Sequence, residues 1–461
     1  MRKRNRVLKI SIQNGEWHMN RRSGKLHLNV VMRGSGHHEA AWKHPQAQPL
    51  QDLSLAYYAE IVKIAERGLF DAAFMADNYA LSGPTRRLEP FTLVSALSAL
   101  TRNIGFIATV DTTFNEPFHV ARKFASLDHI SGGRSAWNIV TSSNSASEQF
   151  NLKEYPAPGI RYEIASEFID VVKQLWDSWE HGGDELDLTA DTPYAQSTPH
   201  SIPFKGKHFA VKGPLNVQRP PQGYPVLVQA GASEAGRELA AEKGEIVFSA
   251  QQTLAAAKRF YTDVKSRMVK YGRTPDQLLV IPGLAPIVAA TEAEARELEW
   301  EFTSLSNFRS ILSQLSQWFT VDLNDYELDE PVPIDKAIPF DQLTTGITSR
   351  SEVYIEAARS ENMTLRQFAS RSAGGHGHMT IAGSVLQVAD LLEEWFREYG
   401  ADGFNLMPHI FPGGLETFVD KVVPELQNRG LFREAYEGKT LRDNLGLAYP
   451  ANSLSGSVQL K

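Results

Sequence analysis

The sequence predicts an α/β fold, a (β/α)8 TIM barrel with insertion segments, and three observations carry that prediction. Helical and strand-like stretches alternate with short turns, the mark of a parallel sheet wrapped by helices. The strand-like stretches are continuously apolar, as strands buried on both faces must be. No G-x-G-x-x-G follows an early strand and no G-x-x-x-x-G-K-[ST] occurs. An open nucleotide-binding sheet would carry such a loop, so the closed barrel is favoured.

Residues 52–77, "DLSLAYYAEIVKIAERGLFDAAFMAD", show one repeating unit. Tyr57, Ile61, Ile64 and Ala65 recur at helical spacing, Gly68 stands where a left-handed cap belongs, and "LFDAAFMA" follows as a buried strand. "NIGFIAT" (103–109) is the next strand. Pro117 suits the first turn of the helix through "FHVARKFASLDHI", which Gly132 and Gly133 end before the strand "SAWNIVT". "YPVLVQA" (224–230) leads through "GAS" into the helix "SEAGRELAAEK", with Gly244 as its cap and "EIVFSA" after it. "VLQVADLLEEWFREYG" is a helix before the strand "DGFNLM", and "LETFVDKVVPELQNRG" is another. A barrel core takes about 250 residues. The chain therefore reads as one domain, 1–461, with insertions near 181–223 and 300–380. The second insertion is the candidate lid.

Composition narrows the class. Hydrophobic residues make up 42% and charged residues 22%, an ordinary globular balance. A net charge of -7 argues against a nucleic-acid surface. The basic "MRKRNR" leads into no signal-peptide core, and no apolar run approaches the roughly 20 residues of a membrane span. A cytoplasmic enzyme is expected, with neither membrane nor nucleic acid as partner. The absence of cysteine excludes disulfides, thiolate catalysis and cysteine zinc sites.

In such a barrel the chemistry sits at the carboxyl ends of the strands. Asp77, Thr109, Asp111, Thr141 to Ser143 and Ser233 fall there. The turn "QAGASEAGRE" (229–238) opens a helix with glycine and Ser233, offering free N–H groups and a hydroxyl to a phosphate, or else a plain serine cap. Asp77 could equally cap its own turn, and Trp137 reads as packing. Asp77 and Asp111 are both strand-end carboxylates of the kind a glycosidase pairs, at a separation sequence does not fix. His37, His38 and Glu39 lack the second helical histidine of H-E-x-x-H, since position 41 is Ala. His376 and His378 lie in a glycine-rich loop, and His409 follows the last barrel strand. No metal is expected, no G-x-S-x-G elbow is present, and no acid or base is assigned.

The blocks "WKHP" (42–45), "AERGLFDAAFMAD" (65–77), "FIATVDTTFNEPFHVARKFASLDHISGGRSAWNIVTS" (106–142), "QAGASEAGRELAA" (229–241) and "DGFNLMPHIFPGGLETFVDKVVPELQNRGLFR" (402–433) resemble the nitrilotriacetate monooxygenase branch of the bacterial luciferase-like flavin-dependent monooxygenases. The resemblance implies a two-component enzyme that uses reduced FMN and O2 to oxygenate a small organic substrate, one oxygen atom entering the substrate and the other leaving as water. It implies a separate NAD(P)H-dependent flavin reductase as partner, and a homo-oligomer, dimer or tetramer. Carried over by position, it places Asp77 and Thr109 at the flavin ring and Ser143 beside flavin and substrate. It places Tyr162 at the ribityl-phosphate end, and Ser233 with the Ala232 N–H on the phosphate. Two positions depart from relatives: Ser143 and Pro158 stand where some carry histidine, and Arg161 is the candidate replacement for the second. A deazaflavin-dependent oxidoreductase and a flavin-binding protein without turnover are the alternatives on the same fold.

Overall fold

Eight strand positions close a parallel barrel in the computed structural model, which describes residues 11–13, 16–18, 22, 24–80, 86–142, 144–152, 154–179, 199–339 and 348–454. The first six are β1 (His27–Met32), β2 (Ala72–Met75), β3 (Gly105–Asp111), β4 (Ser135–Val140), β5 (Val226–Ala230) and β6 (Ile246–Phe248), each paired in parallel with its neighbour. The seventh is broken at Ile281 and Pro282 into β7 (Leu279–Val280), which pairs with β6, and β8 (Gly283–Ala289). Strand β9 (Met379–Ser384) flanks β8 outside the ring, and β10 (Gly403–Leu406) pairs with both β8 and β1 to close it.

Strand period two sorts the side chains. Phe74, Ile107, Ala136 and Val226 stand side by side in register and pack inside the barrel. Val30, Ala73, Phe106 and Trp137 face outward into the helical layer. That layer includes α1 (Leu55–Arg67), α2 (Pro90–Ser98), α3 (Pro117–Ser131), α4 (Pro158–Asp177), α5 (Glu234–Lys243) and α6 (Leu254–Arg267). Trp137 is fully buried against Phe124 of α3 and Phe168 of α4, its indole N–H on the Val110 carbonyl at 2.8 Å.

The amino-terminal mouth is stoppered from the far end of the sequence. Leu441, Leu445 and Leu447 pack into the barrel interior, and Arg442 is buried in an ion pair with Glu245. Gly105 makes room for them, since a Cβ there would lie 2.7 Å from Leu441. That leaves the carboxyl end of the barrel, where such folds place their chemistry.

After β8 come α7 (Glu292–Ser304), α8 (Phe308–Ser316), α9 (Thr348–Ser360) and α10 (Leu365–Gly375), then α11 (Val385–Arg397). Leu312, Trp318, Tyr354 and Phe368 of this excursion build an apolar cluster of their own. Of the stretch 181–223, residues 181–198 lie outside the described residues; the remainder carries the short hairpin Phe204–Lys205 with Ala210–Val211.

One glycine cap differs from expectation. Gly68 has φ -77°, and the left-handed residue is Leu69 at φ 60°. Glycine is required at 68 for space, because a Cβ would meet Val419 at 2.6 Å. Gly244 caps α5 as expected, in extended backbone at φ -73° and ψ 153°. Gly132 and Gly133 are left-handed as expected, at φ 68° and 84°. The last long helical run, 413–428, contains a π turn at Phe418–Val422 just before Pro424. The wider turn accommodates a residue that has no N–H and would crowd the preceding carbonyls. Among the described residues no helix is long and apolar enough to cross a membrane.

Candidate active site

The exit of β5 brings two hydroxyls and a helix start together. Ser233 is the N-cap of α5, its Oγ accepting the Gly236 N–H at 3.2 Å, as a serine at a helix start does when the first-turn donors need partners. The Tyr162 hydroxyl reaches across from α4 to lie 3.3 Å from the same Oγ. A Cβ on Gly236 would stand 3.1 Å from Ser233 Oγ and 3.2 Å from Tyr162 Oη, so the missing side chain leaves the space between them. Gln229 lies beneath, buried, with an Oε1 that accepts no hydrogen bond among the described residues. Hydroxyls, helix-start N–H groups and a small space fit a phosphate ester. Ala232 sits half-buried in the connecting turn.

At the ends of β2, β3 and β4 the expected residues also converge. Thr109 is buried; its hydroxyl donates to the Met75 carbonyl at 2.7 Å and accepts from Asn138 Nδ2 at 2.8 Å. Asp77 is half-buried and takes the Asn78 N–H at 2.8 Å. Burial pushes its carboxyl above the usual range, against the pull of that N–H and of Arg87. Asp111 is occupied by the local loop, accepting from the Thr113 and Phe114 N–H groups, Asn115 Nδ2 and the Ser142 hydroxyl. It is a turn-holding carboxylate, which removes it from any glycosidase-like pair with Asp77. Ser143 lies outside the described residues.

Arg161, the candidate substitute contact, points at the chain itself. Its Nη1 donates to the Thr141 carbonyl at 3.2 Å, to the Ser142 carbonyl and to Tyr155 Oη at 2.5 Å, pinning the loop after β4. Tyr79, Phe114 and Phe150 wall this side, with Phe114 and Phe150 stacked at 4.1 Å.

The histidines gather on the opposite wall. His37 Nε2 donates to the Val31 carbonyl at 2.8 Å, and burial lowers its pKa to about 3. His38, His44 and His409 surround Phe302 of α7 at 5.3, 4.5 and 4.9 Å between ring centres. Burial holds His38 and His409 at about 4, so both are neutral. His376 Nε2 lies 2.7 Å from Arg33 Nη1, and His378 stacks on Phe248 at 5.0 Å. Among the described residues no three His, Cys, Asp or Glu side chains are grouped to hold a metal ion.

Sequence reasoning missed Gln229 and Gly236, and gave Asn138 no role. Glycine in the first turn of a helix, where alanine would be the better helix former, is the one local signal for Gly236. Nothing local marks Gln229.

A barrel stoppered at one end and lined at the other by amides, hydroxyls and neutral histidines has the architecture of a (β/α)8 enzyme. The chain belongs to the luciferase-like monooxygenases, whose family model matches residues 35–403. It is a flavin-dependent monooxygenase acting on a small organic molecule. It is 46% identical over 450 residues to nitrilotriacetate monooxygenase component A of Aminobacter aminovorans, covering 94% of this chain and 98% of that one. It is 41% identical to the N-acetyl-S-(2-succino)cysteine monooxygenase of Bacillus subtilis (strain 168), covering 94% and 99%. The solved EDTA monooxygenase from Chelativorans sp. BNC1 superposes with a TM-score of 0.77 at 33% identity, covering 92% of this chain and 99% of that chain.

Proposed function

We propose that this chain is the oxygenating half of a two-component system, using reduced FMN and O2 at the carboxyl mouth of one barrel domain, 1–461, with insertions near 181–223 and 300–380. The cradle at the start of α5 is the observation that supports this most. Tyr162 and Ser233 would hold the FMN phosphate through their hydroxyls, and Ala232 through its N–H. The partial positive charge of the helix start favours the same dianion. Asp77 and Thr109 would flank the ring, with Ser143 beside it.

Bound reduced FMN supplies the two electrons with which one oxygen atom goes to substrate and the other to water. The chain's own part is to orient the ring, seat the substrate against it and exclude solvent. The 300–380 segment, of which residues 340–347 lie outside the described residues, would act as the lid. Neutral His37, His38 and His409 add no charge to their side of the mouth.

A separate NAD(P)H-dependent flavin reductase would deliver reduced FMN, a reading supported by the "component A" in the name of a 46%-identical relative. The cytoplasm and a dimer or tetramer complete the proposal. Mass spectrometry of the extracted cofactor should return FMN, and chemically reduced FMN should support oxygen uptake. Recovery of a deazaflavin would sink the reading.

A further inference from the structure

Helix α1 spends its inner face on the core, where Tyr57, Tyr58, Ile61, Val62 and Ala65 are buried. On its outer face Ala56, Glu60, Lys63 and Arg67 follow at spacings of four, three and four. That spacing keeps them in one line along the helix, and all four are exposed. A groove of about 840 Å³ runs beside this line, lined also by Leu55 and by Leu100 from beyond α2. Leu55 is 42% exposed and Leu100 46%. Glu66 fixes the end at which Leu100 stands. Its Oε1 accepts the N–H groups of Arg102, Asn103 and Ile104 at 2.8, 2.6 and 3.1 Å, tying the chain after α2 to the last turn of α1. An exposed leucine therefore marks each end of the groove.

The order of these side chains is its own complement. A two-fold axis between Glu60 and Lys63 sets the α1 helices of two copies antiparallel. Glu60 of each copy then faces Lys63 of the other, Ala56 faces Arg67, and Leu55 reaches Leu100. Two opposite-charge pairs and two leucine pairs form together. Arg67 pairs with Asp420 on its own chain, which leaves its stem to cover the small Ala56. A lipid surface gains nothing from a carboxylate and an ammonium set midway along the groove, and an unrelated protein would need the same side chains in reverse order. A second copy supplies them. We propose that α1 is a two-fold contact between copies of this chain, an inference that rests on the homo-oligomer reading above and gives it a face. A standard contact takes about 800 Å² from each partner, more than one helix offers. Leu50, 83% exposed, and Leu53, 42% exposed, extend the apolar margin just before the helix.

The test is sedimentation equilibrium of the purified full chain over a range of concentrations. Glu60→Lys and Lys63→Glu each set like charges opposite one another twice, and each should weaken self-association at least about tenfold. The double variant Glu60→Lys with Lys63→Glu restores both pairs and should associate as the wild type does. The two single variants, mixed, should associate with each other better than either does alone, since every pair across the axis is then opposite in sign. Leu55→Asp should weaken association as well. All these positions are exposed, and circular dichroism checks that each variant folds. A tetramer that falls to dimers in the single variants supports the contact equally. A wild-type chain that stays monomeric overturns both this inference and the homo-oligomer reading. A wild-type oligomer indifferent to the single variants, or single variants that the double change and the mixture fail to rescue, overturns this contact alone.

Discussion

The Tyr162 hydroxyl lies 3.3 Å from Ser233 Oγ although the two residues are 71 positions apart and belong to different helices. Ser233 already accepts the Gly236 N–H, so an anion arriving between the two hydroxyls meets groups already held in place. Pre-organised donors lose little on binding, which is why a helix-start serine beside a tyrosine is an effective phosphate grip.

Ser233→Ala should separate tail from ring. Losing one hydrogen bond to a charged group costs about 1.5–3 kcal/mol, or roughly 10- to 150-fold in affinity. FMN should weaken by that order and riboflavin should bind almost as before, read by fluorescence titration of both. Equal losses would mean that the hydroxyl only caps α5.

Gly236→Ala should move stability and affinity in opposite directions. Alanine is the better helix former by about 0.5–1 kcal/mol, so the melting temperature should hold or rise. Its Cβ would stand 3.1 and 3.2 Å from the two cradle oxygens, and FMN affinity should fall at least about tenfold while riboflavin affinity is kept. Undiminished FMN binding would place the phosphate elsewhere.

Acid should loosen the wall built by the buried histidines. His37, His38 and His409 sit near 3, 4 and 4 in the fold, below the about 6.5 of an unfolded histidine. Between those values the unfolded chain binds the more protons. The stabilisation from keeping them neutral is complete above about pH 6.5 and is lost as pH falls toward 4, at up to about 1.4 kcal/mol per pH unit for each group. Urea midpoints should drop between pH 7 and 5, and His409→Asn should flatten the drop. A midpoint constant over that range contradicts the burial.

Purified chain with NADH, oxidised FMN and a candidate substrate should turn over almost nothing, and addition of any active flavin reductase should restore product. No G-x-G-x-x-G fingerprint follows a strand to hold the nicotinamide cofactor tightly. Rapid NADH oxidation by the chain alone would contradict the two-component reading.

Most of the barrel was legible, for reasons that also mark where legibility stopped. Strands such as "AAFM" and "SAWNIV" are continuously apolar and follow capped helices, so pattern and punctuation agree. His27–Met32 went unread, because no preceding helix frames it. "GLAPIVA" was hidden by Pro286 and the neighbouring Pro282, which argue against a strand; its chain tolerates them where β8 leaves the ring to run beside β9. At the site, Ser233 was visible as a helix start, while Tyr162 entered through resemblance alone. The hydrogen bond from Asn138 to Thr109 is invisible locally, since it joins two strands that only the fold brings together.

The floor of leucines around Arg442 has a consequence for synthesis. Residues 441–447 leave the ribosome after every strand whose interior they fill. Until they arrive, the nascent barrel carries an open apolar bore that chaperones, or a neighbouring copy, can enter. Truncation before Leu441 would keep Asp77, Thr109, Tyr162 and Ser233 and still yield a sticky, unfinished cylinder. Soluble yield of such a truncation, rather than its flavin affinity, is where the loss would register first.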